Sequence, residues 1–475
     1  MSKKEILSVG IDIGTTTTSM IVSKLGISNT AASYMVPDVN ITTKDIIYRS
    51  ELYLTPQKDR ELLDGEAIRR IVEHEYARAG IRPEDVDTGA VIITGESSLK
   101  ENAHIVIDSL STFAGEFVVA TAGPDLESIL AGRGSGAEAF SKKYGCIAAN
   151  LDIGGGTTNV SVFDCGKLVA QTCIDVGGRI MKYDDSGRIT YVSKRLNDLG
   201  ALRNLHFEEQ SMLTGLEDIG TLLADAIFDS IHEQHTDLTR ISTTNSSHPI
   251  ALKEPIQYIS FSGGVADCYY NREQNLTRFN DLGPAIAKAL HERELTEPFQ
   301  VVKPKETIRA TVVGAGTYTT EVSGSTISYS EDLFPIKNLP MFMPTEPAEQ
   351  ALYAGNGSAL AEELQWHINQ TQVDELGICV QGKERTTYQE LLNMAAALKQ
   401  VDEATLPQDK PLIIICENDM AKALGQVMRR LYGANPRSIV CLDRIRIRSG
   451  DYIDIGKPVM DGVALPVVVK TLIFS

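Results

Sequence analysis

The chain has 475 residues, of which 43% are hydrophobic and 23% are charged, and its formal net charge is −18. This composition excludes a largely disordered chain, and the length suggests roughly three domains. The negative charge disfavours nucleic acid and acidic membrane surfaces as partners, because like charges repel at long range.

The N-terminus and the cysteines indicate where the protein works. Residues 1–5 lead straight into a predicted strand without the apolar core of a signal peptide, and no stretch approaches the ~20 apolar residues of a membrane span. The seven cysteines are scattered without a Cys-x-x-Cys pair, which favours buried free thiols. We therefore expect a cytoplasmic protein with no membrane partner.

The first predicted elements are strands at 6–13, 17–24 and 30–36, separated by turn residues. A polar insertion is expected at about 37–63. The apolar spacing within Gly65–Ala79 then predicts an amphipathic helix that ends at Gly80.

Helices and strands alternate in the rest of the first part, with strands at 91–93 and 117–120 and helices at 102–110 and 124–144. The order β-β-β-α-β-α-β-α is typical of a ribonuclease-H-like half-domain. We predict that residues 1–146 form a first lobe. Within it, the glycines at 132, 134 and 136 favour a break in the long helix.

A second half-domain is predicted over 147–332, because strands near 153, 160–163 and 168–174 repeat the opening pattern. Prolines at 335, 340, 344 and 347 then suggest a linker at 333–347. Residues 348–475 are expected to form a separate small α/β unit, which is a candidate for docking a partner.

Two predicted strands end in an aspartate followed by a turn of glycine and threonine. The turn residues are Asp12, Gly14, Thr15, Thr16 and Thr17 in the first copy, and Asp152, Gly154, Gly155, Gly156, Thr157 and Thr158 in the second. Glycine lets backbone N–H groups approach an anion closely, and threonine hydroxyls add donors. Each turn is therefore a candidate phosphate-binding loop.

The two aspartates predict a metal ion. A carboxylate repels a phosphate unless a divalent cation lies between them. We expect Asp12 and Asp152 to flank Mg²⁺, largely through its waters. A single turn of this kind would be an ordinary hairpin, but two copies lie one half-domain apart.

Two further glycine motifs follow. Gly263 and Gly264 come directly after a predicted strand, where the absence of side chains leaves a slot for a flat adenine ring. Gly314 and Gly316 lie in a predicted small-residue helix, which could cross another helix closely between the lobes.

In this order the four elements resemble the nucleotide-binding signature of the actin, hexokinase and heat-shock chaperone superfamily, over about residues 6–322. The resemblance implies ATP and Mg²⁺ in a cleft between two lobes whose angle changes with hydrolysis or exchange. The predicted fold class is therefore α/β, with an actin-like ATPase core of two ribonuclease-H-like lobes plus a C-terminal α/β unit.

One position departs from that signature. The heat-shock chaperones orient the attacking water with a glutamate on the first connecting helix, shortly before a Tyr-Gly pair. Counting back from Tyr144-Gly145, the equivalent place is Ser135 or Gly136, and the nearest acid is Glu138. Glu138 is thus the candidate catalytic residue, and we expect a slow ATPase that acts as a molecular switch.

Stretches at 89–96, 117–128, 175–179 and 461–466 also resemble one family, the ethanolamine ammonia-lyase reactivating factors of the ethanolamine utilization protein EutA type. The resemblance implies a chaperone-like ATPase that binds ethanolamine ammonia-lyase and lets its damaged cobalamin leave. No Asp-x-His-x-x-Gly loop is present, so no directly bound cobalamin is expected. Homo-oligomerisation and association with the ethanolamine bacterial microcompartment stay open.

Two alternatives also stay open at this point. A small-molecule kinase of the same superfamily would need a carboxylate base at its substrate's hydroxyl group, and the sequence does not identify one. An actin-like filament ATPase would share the same core.

Overall fold

The computed structural model shows an α/β protein with three large sheets and a two-stranded ribbon among the described residues. The described residues are 4–29, 39–59, 62–94, 97, 100–103, 105–106, 109–110, 118–121, 124–232, 236–244, 247, 249–252, 254–318, 320–323, 333–371, 375–383, 385–433, 437–447, 451–456, 458 and 465–471.

The first sheet has the strand order β3-β2-β1-β5-β6, with β4 paired to β2. Its strands are β1 (Lys4–Ile13), β2 (Thr17–Asn29), β3 (Val39–Arg49), β4 (Tyr53–Leu54), β5 (Thr88–Ile93) and β6 (Val118–Thr121). The first three strands are antiparallel neighbours, whereas β5 runs parallel to β1 and β6 parallel to β5. Val9, Ile11 and Ile13 of β1 are fully buried and form the core of this lobe.

Helix α1 (Gly65–Ala79) covers this core, as its spacing predicts. The helix begins after Asp64, whose carboxylate accepts a hydrogen bond of 3.1 Å from the Ala67 N–H. Ile68 and Val72 lie one turn apart on the buried face. The helix ends at Gly80, which adopts φ +68°.

The third strand differs from its prediction. The predicted segment 30–36 lies outside the described residues, and β3 instead occupies part of the predicted polar insertion at 37–63. Because β3 is an edge strand, several of its side chains, such as Thr42 and Lys44, are exposed. Its composition therefore resembles a polar loop. The predicted helix at 102–110 falls partly on residues that the structure does not describe.

Helices α2 (Pro124–Ser135) and α3 (Ala137–Tyr144) carry the chain from the first lobe into the second. They replace the single predicted helix at 124–144. The break is at Gly136, whose φ of +94° is left-handed and unfavourable for other residues. The helix break predicted from the glycine run is confirmed at this position.

The second sheet has the order β13-β12-β7-β8-β9. The strands of the second lobe are β7 (Ile147–Ile153), β8 (Thr158–Asp164), β9 (Lys167–Ile174), the ribbon β10 (Met181–Tyr183) and β11 (Ile189–Val192), then β12 (Tyr258–Ser262) and β13 (Gln300–Val301). Again the first strand has an antiparallel pair on one side and parallel strands on the other. This repetition confirms the predicted actin-like core of two ribonuclease-H-like lobes.

The helices of the second lobe surround a large apolar core. They are α4 (Lys194–Ala201), α5 (Leu216–Asp229), α6 (Asp237–Ser242), α7 (Gly264–Tyr270), α8 (Gly283–Glu294) and α9 (Ala310–Tyr318). The Phe228 ring lies 6.3 Å from that of Phe261 and 5.4 Å from that of Phe299, so aromatic contacts join α5 to the sheet.

The third sheet has the order β14-β20-β19-β15-β16-β17-β18. Its elements are β14 (Thr320–Ser323), β15 (Ile336–Phe342), α10 (Glu346–Tyr353), α11 (Ser358–Thr371), β16 (Gly377–Val380), α12 (Tyr388–Thr405), β17 (Leu412–Cys416), α13 (Ala421–Tyr432), β18 (Ile439–Asp443), β19 (Asp451–Ile455) and β20 (Leu465–Thr471). Strands β15 to β18 are parallel and in chain order, which places their connecting helices on one face.

The predicted linker at 333–347 is wrong. It contains β15, which pairs with both β16 and β19 inside the third sheet. The prolines that suggested a linker are tolerated here, because Pro335 precedes the strand and Pro340 follows an irregular register between Ile336 and Leu339.

The C-terminal unit also reaches back into the predicted second lobe at 147–332. Strand β14 follows α9 after one residue and pairs antiparallel with β20, near the end of the chain. The third sheet is therefore continuous with the last helix of the actin-like core and is not a separate appendage.

All seven cysteines are free, and six of them are buried, with Cys165 exposed. Within the part of the chain that the structure describes, we find no helix with the length and apolar character needed to cross a bilayer.

Candidate functional site

The two glycine turns have the same backbone geometry. The N–H of Gly14 donates to the Thr17 carbonyl at 2.9 Å, and the N–H of Gly154 donates to the Thr157 carbonyl at 2.9 Å. Each bond closes the loop between the first two strands of its lobe. The repeated sequence pattern therefore produces a repeated structure.

The first turn is braced from the outside. The Gly14 carbonyl accepts hydrogen bonds from the hydroxyls of Thr55, at 2.7 Å, and Ser97, at 3.0 Å. The Thr16 carbonyl accepts a bond of 2.9 Å from the Thr55 N–H. Since these carbonyls are occupied by the protein, the turn is held in one conformation.

The second turn is braced by the segment 175–179. The N–H groups of Gly178 and Arg179 donate to the carbonyls of Gly154, at 2.9 Å, and Gly155, at 2.6 Å. The Thr158 hydroxyl donates to the Val176 carbonyl at 2.7 Å. The hydroxyl of Thr158, a predicted nucleotide-binding residue, therefore binds the segment 175–179 in the structure.

The two turns face each other. A Cβ atom placed on Gly155 would lie 2.9 Å from the Thr16 hydroxyl of the other lobe. A Cβ atom on Gly156 would meet nothing within 4 Å, so this position borders open space. The two turns that the sequence singled out therefore approach each other across the cleft.

Asp12 lies at the end of β1 and is half-buried. Burial raises the pKa of its carboxyl from 3.8 to about 7; a hydrogen bond from Thr94 opposes this, and the charge of Asp152 adds to it. The Thr94 hydroxyl lies 3.1 Å from Asp12 Oδ1. The charge of Asp152 acts on Asp12 from the other lobe, so the two carboxylates lie near each other.

Asp152 lies at the end of β7 and is 6% exposed. Its Oδ1 accepts a bond of 2.6 Å from the Ser262 hydroxyl, and its Oδ2 accepts one of 3.3 Å from the Thr311 hydroxyl. Burial raises the pKa of this carboxyl, while the two hydroxyl groups lower it. Asn150 in turn donates to Ser262 at 2.8 Å, which fixes the hydroxyl that holds Asp152.

The predicted adenine slot is a tight turn between β12 and α7. Gly263 adopts φ +84°, and a Cβ atom there would lie 2.3 Å from the Ile153 carbonyl oxygen. This contact presses the turn against the end of β7, next to Asp152. A Cβ atom on Gly264 would meet nothing within 4 Å, so Gly264 faces open space as an adenine slot requires.

Gly314 and Gly316 have a packing role in the structure. A Cβ atom on Gly314 would lie 2.0 Å from the Leu130 carbonyl oxygen of α2, and one on Gly316 would lie 3.1 Å from the N atom of Gly10 in β1. They let α9 cross α2 and β1 closely, as predicted. Their contacts are with protein backbone, so we do not assign them to nucleotide binding.

Sequence reasoning explained the Gly132 and Gly134 pair only as part of a helix break. In the structure, a Cβ atom on Gly134 would lie 1.8 Å from the Ala310 carbonyl oxygen of α9, and one on Gly132 would lie 2.2 Å from the Ser161 hydroxyl. The first connecting helix that crosses between the lobes is therefore α2, not α3.

This assignment bears on Glu138, which lies in the first turn of α3. Glu138 pairs with Arg133 at 3.4 Å, and both act on the charge of Lys44 in β3. Lys44 pairs with Leu25 of β2, which in turn pairs with Ile6 of β1. Six residues of strand separate Ile6 from Asp12, or roughly 20 Å. The ion-pair partner of Glu138 is Arg133, and among the described residues the structure gives Glu138 no hydrogen bond or ion pair with either aspartate.

The start of α2 is better placed. Strand β6 ends level with β5 and with the Asp12 end of β1, and α2 begins three residues later. The half-buried Glu127 lies in the first turns of α2. Its position follows from parallel strand register, which counting along the sequence could not supply.

Other residues that hold the site were missed. The hydroxyl groups of Thr94, Ser262 and Thr311 contact the two aspartates from three separate elements. Single threonine and serine residues are common at strand ends, so no local pattern marks them.

The donor set fits a Mg²⁺–nucleotide group. Two carboxylates of raised pKa, one half-buried and one buried, repel each other, and a cation between them would offset both burial and repulsion. Mg²⁺ is commonly held by one or two carboxylates together with waters and phosphate oxygens. Within the described residues, no cluster of three or more His, Cys, Asp or Glu side chains is arranged to hold a metal ion.

Comparison with known proteins identifies the family. The chain matches the family described as ethanolamine utilisation protein EutA over residues 4–475. It is 37% identical to the ethanolamine ammonia-lyase reactivase EutA of Salmonella typhimurium and 36% identical to that of Escherichia coli, with 100% of both chains covered in each case. Among solved structures it is similar to component A of (R)-2-hydroxyglutaryl-CoA dehydratase from Acidaminococcus fermentans, with 13% identity, a TM-score of 0.31 and coverage of 66% of this chain and 97% of that chain. The chain therefore belongs to the ethanolamine utilisation protein EutA family.

Proposed function

We propose that the chain is an ATP-dependent, chaperone-like reactivating factor for ethanolamine ammonia-lyase. In this proposal it promotes the release of damaged cobalamin from the lyase, so that intact adenosylcobalamin can rebind. Similarity to two curated reactivases over the full chain supports the choice of the lyase as partner. The observation that carries the ATP dependence is the pair of facing glycine turns, each preceded by an aspartate of raised pKa.

The residues have separate roles in this proposal. The N–H groups around Gly155 and Gly156 face the phosphates, and the open side of Gly264 takes the adenine. Asp12 and Asp152 hold Mg²⁺ through its waters, and bound Mg²⁺ supplies positive charge against the phosphates. The hydroxyls of Thr94 and Ser262 keep the carboxylates aimed at the cleft.

We propose a switch and not a metabolic enzyme. A switch needs a ligand that binds two conformations with different affinity, and it does not need fast turnover. Glu138, the base expected from the sequence, is engaged in an ion pair with Arg133, which supports slow hydrolysis. The absence of an Asp-x-His-x-x-Gly motif supports an arrangement in which cobalamin stays with the lyase. We also propose that the protein acts in the cytoplasm, in association with the ethanolamine bacterial microcompartment.

Reconstitution tests this function. Ethanolamine ammonia-lyase inactivated with cyanocobalamin is mixed with the protein, ATP, Mg²⁺ and fresh adenosylcobalamin, and we expect activity to return only when all are present. Asp12→Ala and Asp152→Ala are expected to abolish recovery. Asp184→Ala is the matched control, because Asp184 is a loop aspartate whose contacts are with Ser186 and Arg188. Recovery without ATP, or full recovery by Asp12→Ala, would refute the proposal.

The two alternatives have their own signatures in the same samples. ATP consumption that a small hydroxyl compound stimulates without the lyase would indicate a kinase. Sedimentation of the protein only with ATP would indicate a filament, and sedimentation equilibrium without nucleotide measures homo-oligomerisation.

A further inference from the structure

The two lobes are joined by a second set of contacts away from the glycine turns. The Arg49 guanidinium, at the end of β3, forms an ion pair with the Glu306 carboxylate. Beside it, Arg309 Nη2 donates to the Ser50 carbonyl at 2.8 Å. Arg49 and Ser50 belong to the first lobe, whereas Glu306 and Arg309 lie between β13 and α9 of the second.

The second-lobe side of these contacts is attached to the adenine slot. Thr307, between Glu306 and Arg309, accepts a bond of 3.2 Å from the Gly263 N–H through its carbonyl. Its hydroxyl donates to Asp267 Oδ1 at 2.6 Å, in the helix that begins at the slot. A movement of the Gly263 turn must therefore move Glu306 and Arg309, or break both bonds.

The first-lobe side is attached to the first glycine turn. The N–H of Ser50 donates to the Met20 carbonyl at 2.8 Å, and the Ser50 hydroxyl accepts a bond of 2.8 Å from the Met20 N–H. Met20 lies three residues after Thr17, in the strand that leaves the turn. Each half of the candidate nucleotide site is thus connected to one half of the contact.

The side chains suit a contact that opens and closes. The Arg49 side chain is 44% exposed, so water can hydrate its guanidinium when it separates from Glu306. The Glu306 side chain is only 17% exposed, so an open contact leaves its charge largely shielded from water, which favours the closed contact. By contrast, the crossing of α2 and α9 is backbone against backbone and cannot open in the same way.

We propose that Arg49–Glu306 and Arg309–Ser50 form an interlobe latch whose closure is coupled to nucleotide at the Gly263 turn. This proposal rests on the proposed ATP binding and adds how the site is linked to the lobe angle. Nucleotide that bridges the two turns favours the closed latch, and by linkage a closed latch slows the release of nucleotide. Breaking the latch must therefore speed that release.

Charge reversal provides the test. The rate at which a fluorescent ATP analogue leaves the full-length protein with Mg²⁺ is measured for wild type, Arg49→Glu, Glu306→Arg and the double reversal. We expect each single reversal to speed release by roughly threefold or more, and the double variant to return to within about twofold of wild type. Glu306→Gln, which removes the charge without repulsion, should give a smaller change of the same sign.

Arg203→Glu is the matched control. Arg203 is 41% exposed and pairs with Asp225, which is 18% exposed, but both lie within the second lobe. We expect its release rate to stay within about twofold of wild type. Unchanged release in both single variants, or no recovery in the double variant, would refute the latch while leaving ATP binding intact. If the wild-type protein binds no nucleotide, the proposed function fails and the latch fails with it.

Discussion

Replacing Asp12 by asparagine should stabilise the nucleotide-free protein while removing its response to Mg²⁺. Asparagine keeps an oxygen for the Thr94 hydroxyl, but it carries no charge to bury. In wild type, burial is the largest cause that raises the pKa of Asp12 from 3.8 to about 7. Ionisation in the folded state therefore costs about 4 kcal/mol, at 1.36 kcal/mol for each pH unit.

The size of the stability gain in Asp12→Asn depends on pH in a defined way. Since the folded pKa lies above the unfolded one, the penalty is absent below about pH 4 and grows until about pH 7, where it is complete. We expect Asp12→Asn to be more stable than wild type by about 3 kcal/mol at pH 6 and about 4 kcal/mol at pH 8. The advantage must increase as the pH rises.

Urea unfolding of the nucleotide-free protein at pH 6 and pH 8 measures these differences, and repetition with Mg²⁺ and ATP measures the ligand response. Wild type should gain stability from the ligand, and Asp12→Asn should not. The control is Asp184→Asn, because the Ser186 hydroxyl and backbone N–H groups hold the pKa of Asp184 below its usual value. That variant should lose stability. Equal stability of Asp12→Asn and wild type at pH 8, or an advantage that does not grow with pH, would refute the reasoning.

Two further predictions concern the crossing helices. Gly134→Ala should lower the free energy of unfolding by roughly 3 kcal/mol or more, because its Cβ atom would lie 1.8 Å from the Ala310 carbonyl oxygen. Gly156→Ala is the control, because its Cβ atom would meet nothing within 4 Å, and it should change the free energy of unfolding by less than about 0.5 kcal/mol. Thermal unfolding of the two variants decides this, and equal losses would contradict the close helix crossing. Glu127→Gln should reduce ATP hydrolysis more than Glu138→Gln, because α2, which carries Glu127, begins at the Asp12 edge of the first sheet. The rate of phosphate release measures hydrolysis in both variants. A larger loss in Glu138→Gln would restore Glu138 as the candidate catalytic residue.

Local sequence was sufficient for the turns and for the order of the main elements. A glycine after a strand-ending aspartate, followed by threonines, forms the same closed loop at Gly14 and at Gly154 because the bond that closes it spans three residues. Two such loops at half-domain spacing predicted two similar lobes. The observed strand orders confirm this.

The sequence-based prediction of secondary structure was wrong where it relied on the polar or proline-rich composition of a segment that is a strand in the structure. The edge strand β3 is polar because one side of it meets solvent, and β15 contains prolines that an irregular register tolerates. Both were predicted as non-regular segments. Pairing with a distant strand decides such cases, and β14 shows the extreme form, since its partner β20 lies near the other end of the C-terminal unit.

The sequence by itself determined the two aspartate–glycine turns, because their geometry depends on backbone freedom and hydrogen bonds within a few residues. Only the tertiary structure decided what surrounds them. The positions of the Thr94 and Ser262 hydroxyls and the crossing at Gly134 depend on the register of strands and helices far apart in the chain. Such register is set by the packing of whole elements, which no short stretch of sequence specifies.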